Sequence, residues 1–297
     1  MDTPRIKYFL LNKFPKPIFD VIFKIWKVLG KPILTFLSKQ RLKNFNGESI
    51  KTIQTHGEEF QIFINSKNGY VDETVFLNGV YEPFFLFLIK KHLKKGSVFI
   101  DIGANIGQHS LFASRVVGNT GKVISFEPVK RLYNQFKKSI EINNLSNIEA
   151  FNFGCGDKEE ELEIYLNQEN MGASSIIGDN KKNGSESIKI IVPDDILFNE
   201  DKIDFIKIDV EGYEYHVLLG LDKTLNKHHP TLLVEYTPAY YDKIDVTHKR
   251  KIIDLLLSKG YEIFDVENKQ YIKNFDMIKL NGKNNLKNYN LMCTNPM

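Results

Sequence analysis

Five carboxylates recur at matching places in this 297-residue chain. Asp101, Glu127, Asp157, Asp209 and Glu235 each stand at or just past the end of a short apolar run. Runs of this kind are the strands of a parallel sheet, buried on both faces. In α/β sheets, ligands bind outside the carboxyl ends of the strands. Acids that track that one edge describe a ligand site with negative walls. The first stretch, Ser97-Val98-Phe99-Ile100-Asp101-Ile102-Gly103-Ala104-Asn105-Ile106-Gly107, predicts a buried strand, a glycine turn and a helix start. Gly103 and Gly107 permit tight turning and close approach of backbone. A helix start offers unpaired N–H groups and a positive dipole end.

A turn that cradles a dinucleotide reads G-x-G-x-x-G. This one reads D-x-G-x-x-x-G, with Asp101 in place of the first glycine. A carboxylate there repels pyrophosphate and attracts an ammonium group. That selects a cationic nucleoside with an amino-acid tail. S-adenosylmethionine has an α-ammonium, a sulfonium and no phosphate. In this reading Asp101 orients the ammonium directly or through Asn105, and Glu82 closes over the same end. Glu127 lies 24 positions after Gly103, near the ~20 expected of an acid that holds a ribose diol. Pro128 can open the following helix because it has no N–H to lose. Gly154-Cys155-Gly156-Asp157 suits an adenine slot in which Asp157 accepts from the exocyclic amine; it equally suits a plain glycine turn into the strand of residues 161–165. Asp209-Val210-Glu211-Gly212 places two carboxylates two positions apart, as a general base, a substrate clamp or a metal site would.

Together these segments resemble the FkbM family of S-adenosylmethionine-dependent methyltransferases. The resemblance rests on Asp101 to Gly107, Phe126-Glu127-Pro128, Gly156-Asp157, Asp204 to Glu214 (with Lys207-Ile208-Asp209-Val210-Glu211-Gly212 at its centre) and Pro230 to Glu235. Gly79-Val80-Tyr81-Glu82-Pro83 and Met171-Gly172-Ala173-Ser174-Ser175 add to it. It implies an α/β fold, a Rossmann-like class I methyltransferase with a seven-stranded, mostly parallel sheet whose last strand, near Tyr289 to Cys293, is antiparallel. It also implies O-methylation of a hydroxyl, often on a sugar or another secondary metabolite. The expected cofactor residues are Glu82, Asp101, Gly103, Asn105, Gly107, Glu127, Pro128, Gly156 and Asp157. Asp209 and Glu211 are the candidate bases, Ser174 and Glu235 line the acceptor pocket, and no metal is assigned. Val192-Pro193-Asp194-Asp195 departs from the family's usual Leu-Asp pair, so neither aspartate is given a role.

The elements that position these residues divide the chain at 1–45, 46–95 and 96–297. Residues 1–45 hold ten Lys/Arg against Asp2 and Asp20, a net +8. The whole chain is +3, so the remainder is −5. From Ile18 to Leu29 only Asp20, Lys24 and Lys27 are polar, which predicts an amphipathic helical arm. Its lysines forbid a membrane-spanning segment. Two readings stay open: a helix in a membrane interface with snorkelling lysines, or one packed on protein. Residues 46–75 predict short strands, and Phe84 to His92 a helix. Residues 168–187 are polar and predict a lid, an acceptor loop or a solvated hairpin loop. Cys155 and Cys293 are too few for a disulfide scaffold, and no His/Cys cluster has zinc spacing. The expected partner is a small-molecule or glycan acceptor, without specific nucleic-acid binding. The expected location is cytoplasmic, peripheral on the inner membrane face if the arm binds lipid. The alternative function is a catalytically silent binding or scaffold protein tethered by the arm.

Overall fold

The computed structural model describes residues 40–176, 184–278 and 288–295. The predicted helix over Ile18 to Leu29 therefore lies outside the described residues. Strands β1 (Glu48–Thr55) and β2 (Glu58–Asn65) form a hairpin. Its two-residue turn, His56-Gly57, has φ of 47° and 80°, the doubly positive pair that matches strand twist. The hairpin is followed by α1 (Tyr70–Asn78) and α2 (Pro83–His92). The sequence predicts strand up to residue 75, whereas Tyr70–Asn78 is helical. Its buried residues are only Val71, Asp72 and Val75, too few to give a helical period.

The main sheet is built from β3 (Val98–Ile102), β4 (Lys122–Phe126), β5 (Ile148–Phe151), β9 (Phe205–Ile208), β10 (Thr231–Tyr236), β11 (Glu262–Asp265), β12 (Gln270–Ile272) and β13 (Tyr289–Thr294). Their spatial order is β12-β11-β13-β10-β9-β3-β4-β5. β3, β4, β5, β9 and β10 are parallel, and β13 enters antiparallel to β10 and β11. The expected seven strands with an antiparallel last strand are thus present. β12 adds an eighth by folding back on β11. A second sheet of order β6-β8-β7 is made from β6 (Gly154–Cys155), β7 (Glu160–Tyr165) and β8 (Ser185–Ile191). The sequence predicts a third strand from Ile148 to Phe153, but the strand ends at Phe151. The chain leaves the main sheet there.

Strand alternation feeds two cores. Phe99, Val123, Phe205 and Leu233 pack on one face with α2, with α3 (Gln108–Val117), with α4 (Lys130–Ile142) and with the β1–β2 hairpin. Val98, Ile100, Ile102, Ile206, Ile208, Leu232 and Val234 pack on the other face. There they meet residues of α6 (Glu214–Gly220), α7 (Asp222–His228) and α9 (His248–Ser258). Both faces are covered, which is why these strands read as unbroken apolar runs. The hairpin and the helices of residues 46–95 are continuous with the core: Phe63 N–H donates to Ser139 Oγ at 3.0 Å, and Gln61 N–H to Asn143 Oδ1 at 2.8 Å. Phe45, at the end of the basic segment, is buried and stacks on Phe76 at 4.5 Å.

The chain runs from β3 outward through β4 and β5, then returns to β9 and proceeds through β10 on the other side. The sheet's order therefore reverses between β3 and β9, and a crevice opens at their carboxyl ends. The two strand ends meet there. Gly103 has φ +83°, and a Cβ on it would lie 1.8 Å from the Asp209 carbonyl oxygen.

Candidate functional site

A cavity of about 270 Å³ fills this crevice. One wall is the β3–α3 turn, from Ile102 to Ile106, with His109 of α3. The end of β4 (Phe126 to Val129) and the small sheet (Gly154, Cys155, Ile164, Ile188, Ile190) close two sides. Asp209, Val210, Glu211, Glu235 and Tyr240 of α8 (Pro238–Ile244) line the opposite end. Asn170 to Ile176 complete the lining, so part of the polar segment 168–187 is a wall of the site. Residues 185–187 of that segment begin β8, and residues 177–183 lie outside the described residues.

Glu127 is the organiser of the donor-side turn. It is buried, and its Oε2 accepts the Asn105 N–H at 2.7 Å while its Oε1 accepts the Val129 N–H at 2.9 Å. Asn105 takes a left-handed backbone, φ +55°, a conformation its short side chain tolerates. Its Oδ1 accepts the Ile106 N–H at 2.8 Å. Burial pushes the Glu127 carboxyl up to about 7, against the two N–H bonds. Each carboxylate oxygen keeps a further acceptor site. Gly103, Asn105, Glu127 and Pro128 all line the cavity. Gly107 does not: its φ is +83°, and a Cβ there would lie 1.9 Å from the Phe136 ring. Its requirement is packing of α3 on α4.

Four further expected cofactor residues, Asp101, Gly156, Asp157 and Glu82, stand outside the lining. Asp101 does not line the cavity. Alternation along β3 puts it on the Phe99 face, beneath α3, fully buried. It accepts from Ser110 Oγ at 2.5 Å and stands 3.5 Å from Lys207 Nζ, so it reaches a ligand only through other residues. Gly156 and Asp157 are also absent from the lining. The shift into the small sheet carries Asp157 outward, where it pairs with His216 Nδ1 at 2.8 Å. Glu82 stands beside the lining, with Oε2 3.9 Å from His109 Nε2. Its backbone is left-handed, φ +46°, and burial and the Asp209 charge raise its carboxyl to about 7. Asp194 of the short helix α5 (Asp194–Leu197), which the sequence left without a role, accepts the Lys223 and Thr224 N–H groups at 2.8 and 2.9 Å and so fixes the start of α7.

The opposite end brings together Asp209, Glu211 and Glu235, whose oxygens lie within 4.8 Å of one another. Asp209 and Glu235 share a hydrogen bond. Burial would raise Asp209, but the Lys207 ammonium at 3.1 Å and the bonds from Glu235 and Lys207 outweigh it and hold the carboxyl below its usual range. Glu235 is pushed well up by burial and by the Asp209 charge. Burial and Asp209 raise Glu211 to about 8. Glu211 is left-handed, φ +53°. Ser175 Oγ holds it there by donating to its carbonyl at 2.7 Å, and Glu214 Oε1 accepts the next N–H, Gly212, at 3.0 Å. Asn288 Nδ2 donates to Glu235 Oε1 at 2.8 Å. Ser174 is buried in the wall, its Oγ donating to the Met171 carbonyl at 2.7 Å.

Sequence reasoning missed Lys207, Tyr81, Tyr240 and Asn288, all of which line the cavity. Lys207 left a signal, since a lysine inside the apolar run Phe205-Ile206-Lys207-Ile208 demands a buried partner. Tyr81 stands inside the quoted segment Gly79-Val80-Tyr81-Glu82-Pro83, beside Glu82, and that adjacency was its signal; Tyr240 and Asn288 lie far from the motifs and left none. His109 is buried in the wall, and burial lowers its imidazole to about 3, so it is neutral.

Comparison with known proteins decides the family. The model of the methyltransferase FkbM domain matches residues 101–263, more than half of the chain. The chain belongs to the FkbM methyltransferase family. Methyltransferase 1 of Beauveria bassiana is 26% identical over 147 residues, covering 42% of this chain and 59% of that protein. Methyltransferase sdnD of Sordaria araneosa is 26% identical over 167 residues, covering 44% and 63%. The chain thus matches about three fifths of the length of these curated relatives. The crystal structure of a methyltransferase FkbM from Methylobacillus flagellatus aligns with 98% of this chain and 77% of its own, at 15% identity and a TM-score of 0.44. S-adenosylmethionine is the cofactor that goes with the family, and the residues present fit it. Two residues of the lining, His109 and Asn170, carry buried polar atoms (Nε2 and Oδ1) without a hydrogen-bond partner, and the far end of the cavity is acidic. Such atoms call for a polar ligand, and the acids suit a cationic one.

Proposed function

We propose that this chain transfers the methyl group of S-adenosylmethionine to a hydroxyl of a sugar, glycan or glycolipid acceptor. The observation that supports this most is the single cavity with Gly103, Asn105 and Glu127 at one end and Asp209, Glu211 and Glu235 at the other. The bound cofactor would supply a methyl group on a sulfonium, whose sulfur departs as a neutral thioether and needs no acid. The protein's work is then to align the acceptor and take its proton. Alignment alone can lower such a barrier by about 7–11 kcal/mol. Glu127, with its two N–H bonds already made, offers its remaining lone pairs to vicinal hydroxyls. Asn105 and Pro128 shape the same wall. Asp209 and Glu211 are the candidate proton acceptors. Asp209 is the more ionised, and Glu211, near 8, is the stronger base at alkaline pH. Glu235 and Ser174 line the acceptor side.

S-adenosylhomocysteine co-purifying with the protein, read by mass spectrometry, tests the donor. A labelled-methyl transfer screen over cell-envelope glycan and glycolipid fractions tests the acceptor. Donor binding without transfer to any fraction would replace the enzyme reading with that of a silent binding protein. Among the described residues no helix is long and apolar enough to cross a membrane. The basic segment 1–45 is proposed as a peripheral membrane contact. Equal flotation of the chain with anionic liposomes, with and without residues 1–45, would reject that.

A further inference from the structure

Lys207 is 3% exposed, and among the described residues it is the only lysine or arginine that lines the cavity. A buried ammonium is tolerated only when its three donors find partners. Here the partners belong to three different parts of the site. Nζ lies 3.2 Å from the Gly103 carbonyl oxygen of the donor turn, 3.5 Å from Asp101 Oδ1 beneath it, and 3.1 Å from Asp209 Oδ2 at the acceptor end. Sheet register makes this possible. Asp101 of β3 and Lys207 of β9 are direct partners across the parallel pair, and alternation places both on the Phe99–Phe205 face.

The acceptor-end carboxylates cannot all ionise at such separations. The ammonium touches one of them. Glu235 is hydrogen-bonded to Asp209, and Glu211 to Tyr240. We propose that Lys207 is a positioning residue that pins Asp209 to the donor turn and confines the negative charge of the Asp209–Glu211–Glu235 group to Asp209. The name acceptor end rests on the proposed function; the placement of charge does not. The titratable groups that face this pair are Asp101 of β3, His109 of α3, Tyr81 and Glu82 before α2, Glu211 and Glu214 of the β9–α6 turn, Glu235 of β10 and Tyr240 of α8. Glu127 lies farther along the donor wall. None of them but Lys207 carries positive charge at neutral pH, since His109 is held neutral.

The test is a carbon-13 titration of the full chain labelled at aspartate Cγ, with the Asp209 signal assigned by its loss in Asp209→Asn. In the wild type this carboxyl should titrate below the ordinary aspartate range, held there by the Lys207 ammonium. In Lys207→Met its midpoint should rise by about 1–3 pH units, the usual effect of losing an opposite charge at this range. A folded Lys207→Met chain, checked by near-ultraviolet circular dichroism, whose Asp209 titrates as in the wild type would overturn the proposal. If the neutral variant does not fold, nitrogen-15 detection of lysine ammonium groups in the wild type decides. A slowly exchanging ammonium should be present beside that of Lys249, which is also buried and pairs with Asp242, and it alone should be lost in Asp209→Asn. Its absence from the wild type, or its persistence in that variant, overturns the proposal. Neither readout needs methyl transfer. An inactive chain with this titration loses the proposed function and keeps the role of Lys207, and an active chain with an unshifted Asp209 does the reverse.

Discussion

Replacing Glu127 by Gln exchanges one carboxylate oxygen for NH₂ and strikes both the turn and the donor site. The carboxylate accepts two backbone N–H groups at 2.7 and 2.9 Å, one through each oxygen. Glutamine has a single oxygen, so its NH₂ must face either the Asn105 or the Val129 N–H. One hydrogen bond to a charged acceptor is lost, worth about 1.5–3 kcal/mol. The same NH₂ removes acceptor sites from the hydroxyls that Glu127 is proposed to hold. If one such bond is lost, about 1.5–3 kcal/mol leaves the binding energy, a roughly 10- to 150-fold rise in Kd. Isothermal titration of S-adenosylmethionine into wild type and Glu127→Gln measures it, with thermal melts run alongside to separate affinity from folding. A folded variant that binds the donor within about threefold of wild type would refute the ribose role. A loss of stability with unchanged affinity would leave Glu127 as the organiser of the turn alone.

Three other outcomes follow from the same geometry. Glu211, held near 8, must be ionised to take a proton; kcat/KM should rise about tenfold per pH unit below that value and level off above it, and Glu211→Gln should lose that limb together with about 10²–10⁴-fold in rate. A Gln variant that keeps the wild-type pH profile assigns the base to Asp209 instead. Gly103→Ala must strain a φ of +83° and push its Cβ into the Asp209 carbonyl; donor binding and turnover should both collapse in any folded fraction, and normal donor affinity would show that the two strand ends are free to separate. Asp72 is 1% exposed, and burial raises its carboxyl from 3.8 to about 6. The folded state therefore holds this proton more tightly than the unfolded chain. That contribution is complete below about 3.8 and disappears as pH rises through 6, about 3 kcal/mol in all. Asp72→Asn should remove this part of the pH dependence in urea melts at pH 4 and 8, and an unchanged difference between the two pH values would count against it.

The sequence by itself determined the strands, the turn and the family. Val98 to Ile102 and Phe205 to Ile208 are legible because a strand covered on both faces must be apolar throughout. Gly103 and Gly107 are legible because no other residue fits a positive φ at such close approach. Glu127 at the end of β4 and Asp209-Val210-Glu211 at the end of β9 follow from the rule that ligands gather at that edge. Tertiary structure decided which acids face the ligand. Asp101 and Glu127 look alike in sequence, but alternation turns Asp101 under α3 while Glu127 stands one residue past its strand and faces the cavity. Asp157 stands outside the cavity lining because the chain leaves the main sheet after Phe151. Tyr240 and Asn288 reached it from segments without a motif. The pairing of Lys207 with Asp101 and Asp209 depends on the register between β3 and β9. Register is a property of two strands about a hundred residues apart, and neither strand encodes it alone.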